Sequence, residues 1–271
     1  MTLAEHLIEL RKRLLISVAA VAIGTVIGFI FFRPIFDVMK QPYCKLPQSR
    51  PFHSSDCALF TGNILAAIQV RMKVGLIAGM MGSGPIWLYQ MWAFIAPGLH
   101  RKEKRWSLWF ISTAFVLFAA GGVFAYFTLD KGLDFLFRIG GHGIQPLLSV
   151  DSYFNFMALM LVAFGVSFLF PLVLVILNIA GVVTTDKMRA NRRITAFLIA
   201  VFAAVITPSQ DPFTFTAMAL PMYLFFEAAI VFGRVRDRAK RRRIENDPLA
   251  QLGDDEMSPI DDRPSNLDEV D

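Results

Sequence analysis

The chain is poor in the residues that usually carry chemistry. Its 271 residues hold two cysteines and four histidines, with neither a CxxC pair nor an HExxH run, which leaves no basis for a zinc ribbon or a zincin-type hydrolase. His6, His53, His100 and His142 fall in loops or near the N-terminus. Ser83 in GMMGSGP therefore lacks a base within its apolar segment, and no intramembrane nucleophile is expected. Charge is scarce too, at 18% of residues. The pattern contains no solenoid repeat, no β-barrel alternation and no soluble domain.

What is plentiful is apolar. With 55% hydrophobic residues and a mean hydropathy of +0.51, the chain exceeds soluble domains and fits several helices in a bilayer. The cluster Arg11 to Arg13 is followed by a long apolar run without a small-residue cleavage pattern, so the first helix is expected to be retained. Six segments can be read: Leu14 to Phe32, Val74 to Ala96, Trp106 to Phe127, Tyr153 to Val183, Ile194 to Ile206 and Phe213 to Phe232. The fifth, at about 13 residues, reaches roughly 20 Å against a hydrocarbon core of about 30 Å. The sixth is interrupted by Pro221 and carries Glu227, so it too is expected to be short. Pro85 and Pro171 are expected to kink their helices.

Basic residues are retained on the cytoplasmic side. Three precede the first segment, four lie between Arg101 and Arg105, four between Lys187 and Arg193, and eight follow Gly233, leaving eight of the 27 for the other side. Both termini are thus expected in the cytoplasm. Residues 1–13 read as an amphipathic cytoplasmic helix with Leu3, Leu7, Leu10 and Leu14 in register, 14–236 as the membrane domain and 237–271 as a charged cytoplasmic tail. Across that boundary Arg234 to Arg243 form a juxtamembrane basic cluster attractive to anionic lipid. Beyond Ile244 come ten acids and Arg263 with almost nothing to pack, and disorder is expected.

The stretch Trp87 to Arg105, WLYQMWAFIAPGLHRKEKR, stands out. Pro97-Gly98 ends an apolar helix, and Glu103 is then the lone acid among Arg101, Lys102, Lys104 and Arg105. Composition alone lets Glu103 be a surface ion-pair partner. The long loop Arg33 to Lys73 reads as irregular, with Cys44 and Cys57 placed outside, where a disulfide would close a loop of about 14 residues and stabilise it by about 3 kcal/mol. Asp211 followed by Pro212 reads as an N-cap with proline at the first helical position. Glu227 in an apolar helix needs a partner or an interface.

Five stretches carry a resemblance: HLIELRKRL (His6 to Leu14), LYQMWAFIAPGL with the basic loop, FGVSFLFP (Phe164 to Pro171), ITPSQDPFT (Ile206 to Thr214) and ALPMYLFFE (Ala219 to Glu227). In order along residues 3 to 236 they resemble the TatC-type core subunit of the twin-arginine protein translocase. The resemblance implies an all-α integral membrane protein of the bacterial cell membrane, with six transmembrane helices in a kinked, cup-shaped bundle. It implies a receptor for paired-arginine signal peptides of folded precursor proteins that assembles with single-span TatA and TatB subunits, in more than one copy, and without a cofactor, enzymatic activity or nucleic acid. Carried over by motif, Glu9, Arg11, Phe94, Pro97 and Glu103 would form the signal-peptide patch, and Gln90, Asp211, Met222 and Glu227 would contact partner helices. One position departs from the family. Leu169 stands where many members carry a glutamate in the fourth helix. The rival reading, a secondary transporter of a small solute, would call for paired broken helices and a midplane polar cluster, and neither is visible.

Overall fold

The computed structural model describes residues 3–46, 57, 59–61, 64–95, 104–139, 148–179, 181–209 and 211–245, which are almost wholly helical. In chain order the helices are α1 (Leu3–Ile30), α2 (Phe32–Cys44), α3 (Ala66–Gly82), α4 (Gly84–Ile95), α5 (Lys104–Ile139), α6 (Val150–Ile179), α7 (Thr185–Ala190), α8 (Arg192–Ile206) and α9 (Pro212–Glu245). Four of them, α1, α5, α6 and α9, are long and apolar enough to cross a membrane.

α6 sits at the centre, packed on α5, α9 and α3. Its buried face, Phe154, Met157, Met160, Phe164 and Phe168, meets Met218, Met222, Phe226 and Ile230 of α9. Glycines set the close approaches. Gly24 and Gly28 of α1 face Gly75 and Gly79 of α3, so near that a Cβ on Gly79 would stand 2.5 Å from the Thr25 nitrogen. This is the small-residue packing that lets helices associate where lipid tails are as apolar as leucine. α5 and α6 use the same device, since a Cβ on Gly121 would stand 2.6 Å from the Phe164 carbonyl oxygen.

Several elements differ from the sequence reading. α1 runs unbroken from Leu3 to Ile30, so the amphipathic segment and the first span are one helix. The loop expected to be irregular contains α2, because Phe32, Ile35, Phe36, Met39 and Tyr43 recur at helical spacing and pack on the core. Pro34 is tolerated in its first turn, where its missing N–H has no partner to lose. The Tyr153 hydroxyl donates to Met39 O at 2.6 Å and the Tyr126 hydroxyl to Val38 O at 2.9 Å, fastening α2 over α5 and α6. A disulfide joins Cys44 at the end of α2 to Cys57. Phe60 then pairs with the start of α6 through Val150 N to Phe60 O, 2.8 Å, and Lys73 of α3 is bonded to Asp151.

The second predicted segment is broken at Ser83 into α3 and α4. The break sits just before Pro85, and the Trp87 indole N–H donates to Met80 O at 3.0 Å, satisfying a carbonyl at the broken turn. α6 runs through Pro171 and stops at Gly181, whose φ of 77° allows Val182 N to bond Leu177 O. α8 is short, 15 residues. α9 is not: it continues through Pro221 for 34 residues. The cations after Gly233 are good helix formers, so residues 237–245, read as the start of the charged tail, continue the helix. Residues 246–271 lie outside the described residues.

Candidate functional site

The N-terminal half of α1 presents Glu5, Ile8, Glu9, Lys12, Arg13 and Ile16 at three- and four-residue intervals, which aligns them on one face. Tyr89 and Gln90 of α4 close the other side of a cleft of about 470 Å³. Two acids and two cations thus stand among isoleucine and tyrosine walls. Glu9 is engaged within its own helix: Arg13 donates to Glu9 Oε1 through Nη2 at 2.5 Å and Nε at 3.0 Å. An ion pair of this kind, between side chains about one-quarter exposed and four residues apart on one helix, stabilises it only slightly, so an incoming guanidinium can exchange with Arg13 at little cost. A carboxylate beside apolar walls suits a guanidinium in particular, because a planar donor pair binds a carboxylate at two points and is weakly hydrated.

α4 is held against both neighbours near its end. His6 of α1 stacks on Phe94 at 4.4 Å between centroids, and Trp92 stacks on Phe110 of α5 at 4.3 Å. The structure therefore brings Phe94 to the same end of α1 as Glu9. Arg11, two residues from Glu9, points roughly to the opposite side of the helix and does not line the cleft. Pro97 and Glu103 lie outside the described residues. Gln90, expected to meet partner helices, lines the cleft. Sequence reasoning missed Tyr89, Lys12 and the isoleucine walls, although the spacing of Ile8, Lys12 and Ile16 carried the signal.

The other expected contact residues fall on α9. Asp211 is 2% exposed and caps the helix, accepting from Thr214 N at 2.7 Å through Oδ1. Met222 is 1% exposed and packs into the core of the chain itself. Glu227 has partners inside the chain: Arg192 of α8 donates to Oε2 at 2.7 Å and Tyr223 to Oε1 at 3.2 Å. The surface beside them is apolar, formed by Phe197, Leu198, Val201 and Val205 of α8 and Leu220 and Leu224 of α9. Leu169 is buried with Leu88, Phe110 and Phe118 in one hydrophobic cluster. Among the described residues no group of three His, Cys, Asp or Glu side chains converges as a metal site would require.

Residues 5–221 match the family described as Sec-independent protein translocase protein (TatC). The chain is 49% identical over 266 residues to the protein of that name from Frankia casuarinae, covering 96% of this chain and 73% of the relative. It is 36% identical over 244 residues to that of Aquifex aeolicus, covering 89% and 98%. A crystal structure of the twin-arginine translocase receptor TatC in DDM superposes with a TM-score of 0.69 at 36% identity, over 84% of this chain and 99% of that one.

Proposed function

The chain belongs to the TatC family of Sec-independent protein translocases, and we propose that it is the receptor subunit that binds paired-arginine signal peptides of folded precursor proteins. It is a component of a protein translocase, not an enzyme. In this reading the bundle is cup-shaped and crosses the bacterial cell membrane six times, with α3–α4 and α8 supplying the two spans beyond the four long helices. Both termini face the cytoplasm, as the distribution of basic residues favours. Single-span TatA and TatB subunits assemble on the apolar face of α8 and α9, next to Asp211, Met222 and Glu227, and several copies of the chain share one complex.

The observation that carries the reading is the cleft on α1, where the Glu9 carboxylate stands among apolar walls beside the His6–Phe94 stack. Glu9 and Glu103 read the two arginines, with Arg11, Phe94 and Pro97 shaping the patch. The surrounding cations repel a peptide that is merely basic, so only one that places its arginines on the acids gains affinity.

Peptide affinity in nanodiscs at two salt concentrations tests this. A charged hydrogen bond contributes about 1.5 to 3 kcal/mol, so Glu103→Ala should lose roughly tenfold to a hundredfold. Glu103→Arg should abolish binding, and lysines in place of the peptide's arginines should weaken it. Unchanged affinity for a folded Glu103→Arg protein would return Glu103 to an ordinary surface role.

A further inference from the structure

α9 does not end where its apolar stretch ends. Between Arg234 and Arg243 its last turns hold seven cations against a single acid, Asp237. Arg236 fixes this extension to the bundle: Nη1 donates to Asn178 O at 3.1 Å and Nη2 to Ile179 O at 3.3 Å, at the C-terminal end of α6. Gly233 closes the joint, since a Cβ there would stand 2.5 Å from Thr185 Oγ1. With Arg236 turned to α6, a rotation of about 100° per residue puts Arg234, Arg238, Arg241 and Arg242 on the far side of the helix. Arg238, Arg241 and Arg242 are exposed and Arg234 is half-buried. Asp237, the one acid between Arg234 and Arg243, forms an ion pair with none of the four.

Depth decides what such a stripe meets. From Pro212 to Phe232 the helix is apolar apart from Glu227, a length of about 31 Å that matches the hydrocarbon core. Arg234 then stands at the edge of the headgroup layer. Arg238 lies about 6 Å further along and Arg241 and Arg242 about 10 to 12 Å, within the headgroups or one Debye length of them. We propose that Arg234, Arg238, Arg241 and Arg242 form a binding stripe for the phosphate headgroups of anionic lipids. Guanidinium groups match phosphate oxygens at two points. The clamp at Arg236 keeps the stripe turned away from the bundle, so lipid can approach without displacing protein. The other polyanion at hand is the chain's own residues 246–271, which carry nine acids and one arginine.

The test is lipid retention by the full-length protein, delipidated in detergent and offered phosphatidylglycerol or phosphatidylcholine, read by native mass spectrometry. Each cation near a charged surface contributes about fivefold in partition, so the wild type should retain phosphatidylglycerol at least tenfold better. The fourfold Arg→Gln variant at 234, 238, 241 and 242 should lose that preference, and 0.5 M salt should erase it. Gln keeps helix propensity, and an unchanged melting temperature confirms the fold. Arg236→Gln, which removes one cation and the clamp but none of the four stripe residues, should weaken the preference less than the fourfold variant, and an equal loss would overturn the assignment to these four. A fourfold variant that still prefers phosphatidylglycerol would overturn the proposal. So would a full-length chain without preference that gains one when cut after Glu245, because the acidic segment would then be the occupant.

Discussion

Arg192 and Glu227, 35 residues apart in sequence, join α8 to α9 through one 2.7 Å ion pair. It is what the sequence demanded of Glu227, a partner for a carboxylate in an apolar helix. The pair is about one-third exposed, so its loss should cost about 1 to 2 kcal/mol rather than the full penalty of a buried charge. Glu227→Ala and Arg192→Ala should each lower the melting temperature in detergent, and the double variant should depart from additivity by more than about 0.5 kcal/mol. Strict additivity would mean that the pair does not tie the two helices.

Gly79 and Gly82 offer a matched comparison within one helix. A Cβ on Gly79 would strike Thr25, whereas one on Gly82 would meet nothing within 4 Å. Gly79→Ala should therefore destabilise by about 1 to 3 kcal/mol through forced separation of α1 and α3, while Gly82→Ala should be near neutral. Equal effects in thermal unfolding would show that the crossing is not the constraint.

The Cys44–Cys57 bridge should be present in protein from oxidised membranes. Mass mapping without reduction should return one linked peptide pair, and Cys44→Ser should lower stability by up to about 3 kcal/mol. Two freely alkylated thiols in unreduced membranes would count against it.

On α8 and α9 the geometry separates docking positions from core positions. Photo-crosslinkers at Phe197 and Leu224, 68% and 57% exposed, should capture single-span partner subunits, and those at Ile199 and Met222, 3% and 1% exposed, should not. Capture confined to α5 would place the partners elsewhere.

Periodicity and charge made the four long apolar helices, the Asp211 cap and the short α8 legible in the sequence, because each rests on local chemistry; near Pro85 a kink was expected, and the chain breaks at Ser83 instead. The lengths of α5 and α9 were not. Their final turns carry charge at the surface, which a search for apolar runs reads as loop, yet Leu129 and Leu133 still pack inward and the α9 cations favour helix. α2 was hidden by its prolines, although its aromatic spacing was intact. Glu9 was singled out by its motif. Its pairing with Arg13, four residues on in the same helix, is local chemistry as well; that Tyr89 and Gln90 face it depends on how α4 turns after Ser83, which no local pattern encodes.

The unbroken course of α1 has a mechanical consequence. Glu9 and the Gly24 crossing lie on one rod about 22 Å apart, with no proline or glycine between them to absorb bending. The crossing is a fulcrum and the segment above it a lever arm. A tilt of about 5° there displaces Glu9 by roughly 2 Å, more than a hydrogen bond tolerates. The position of the Glu9 carboxylate is thereby set by backbone-to-backbone packing at the other end of the helix.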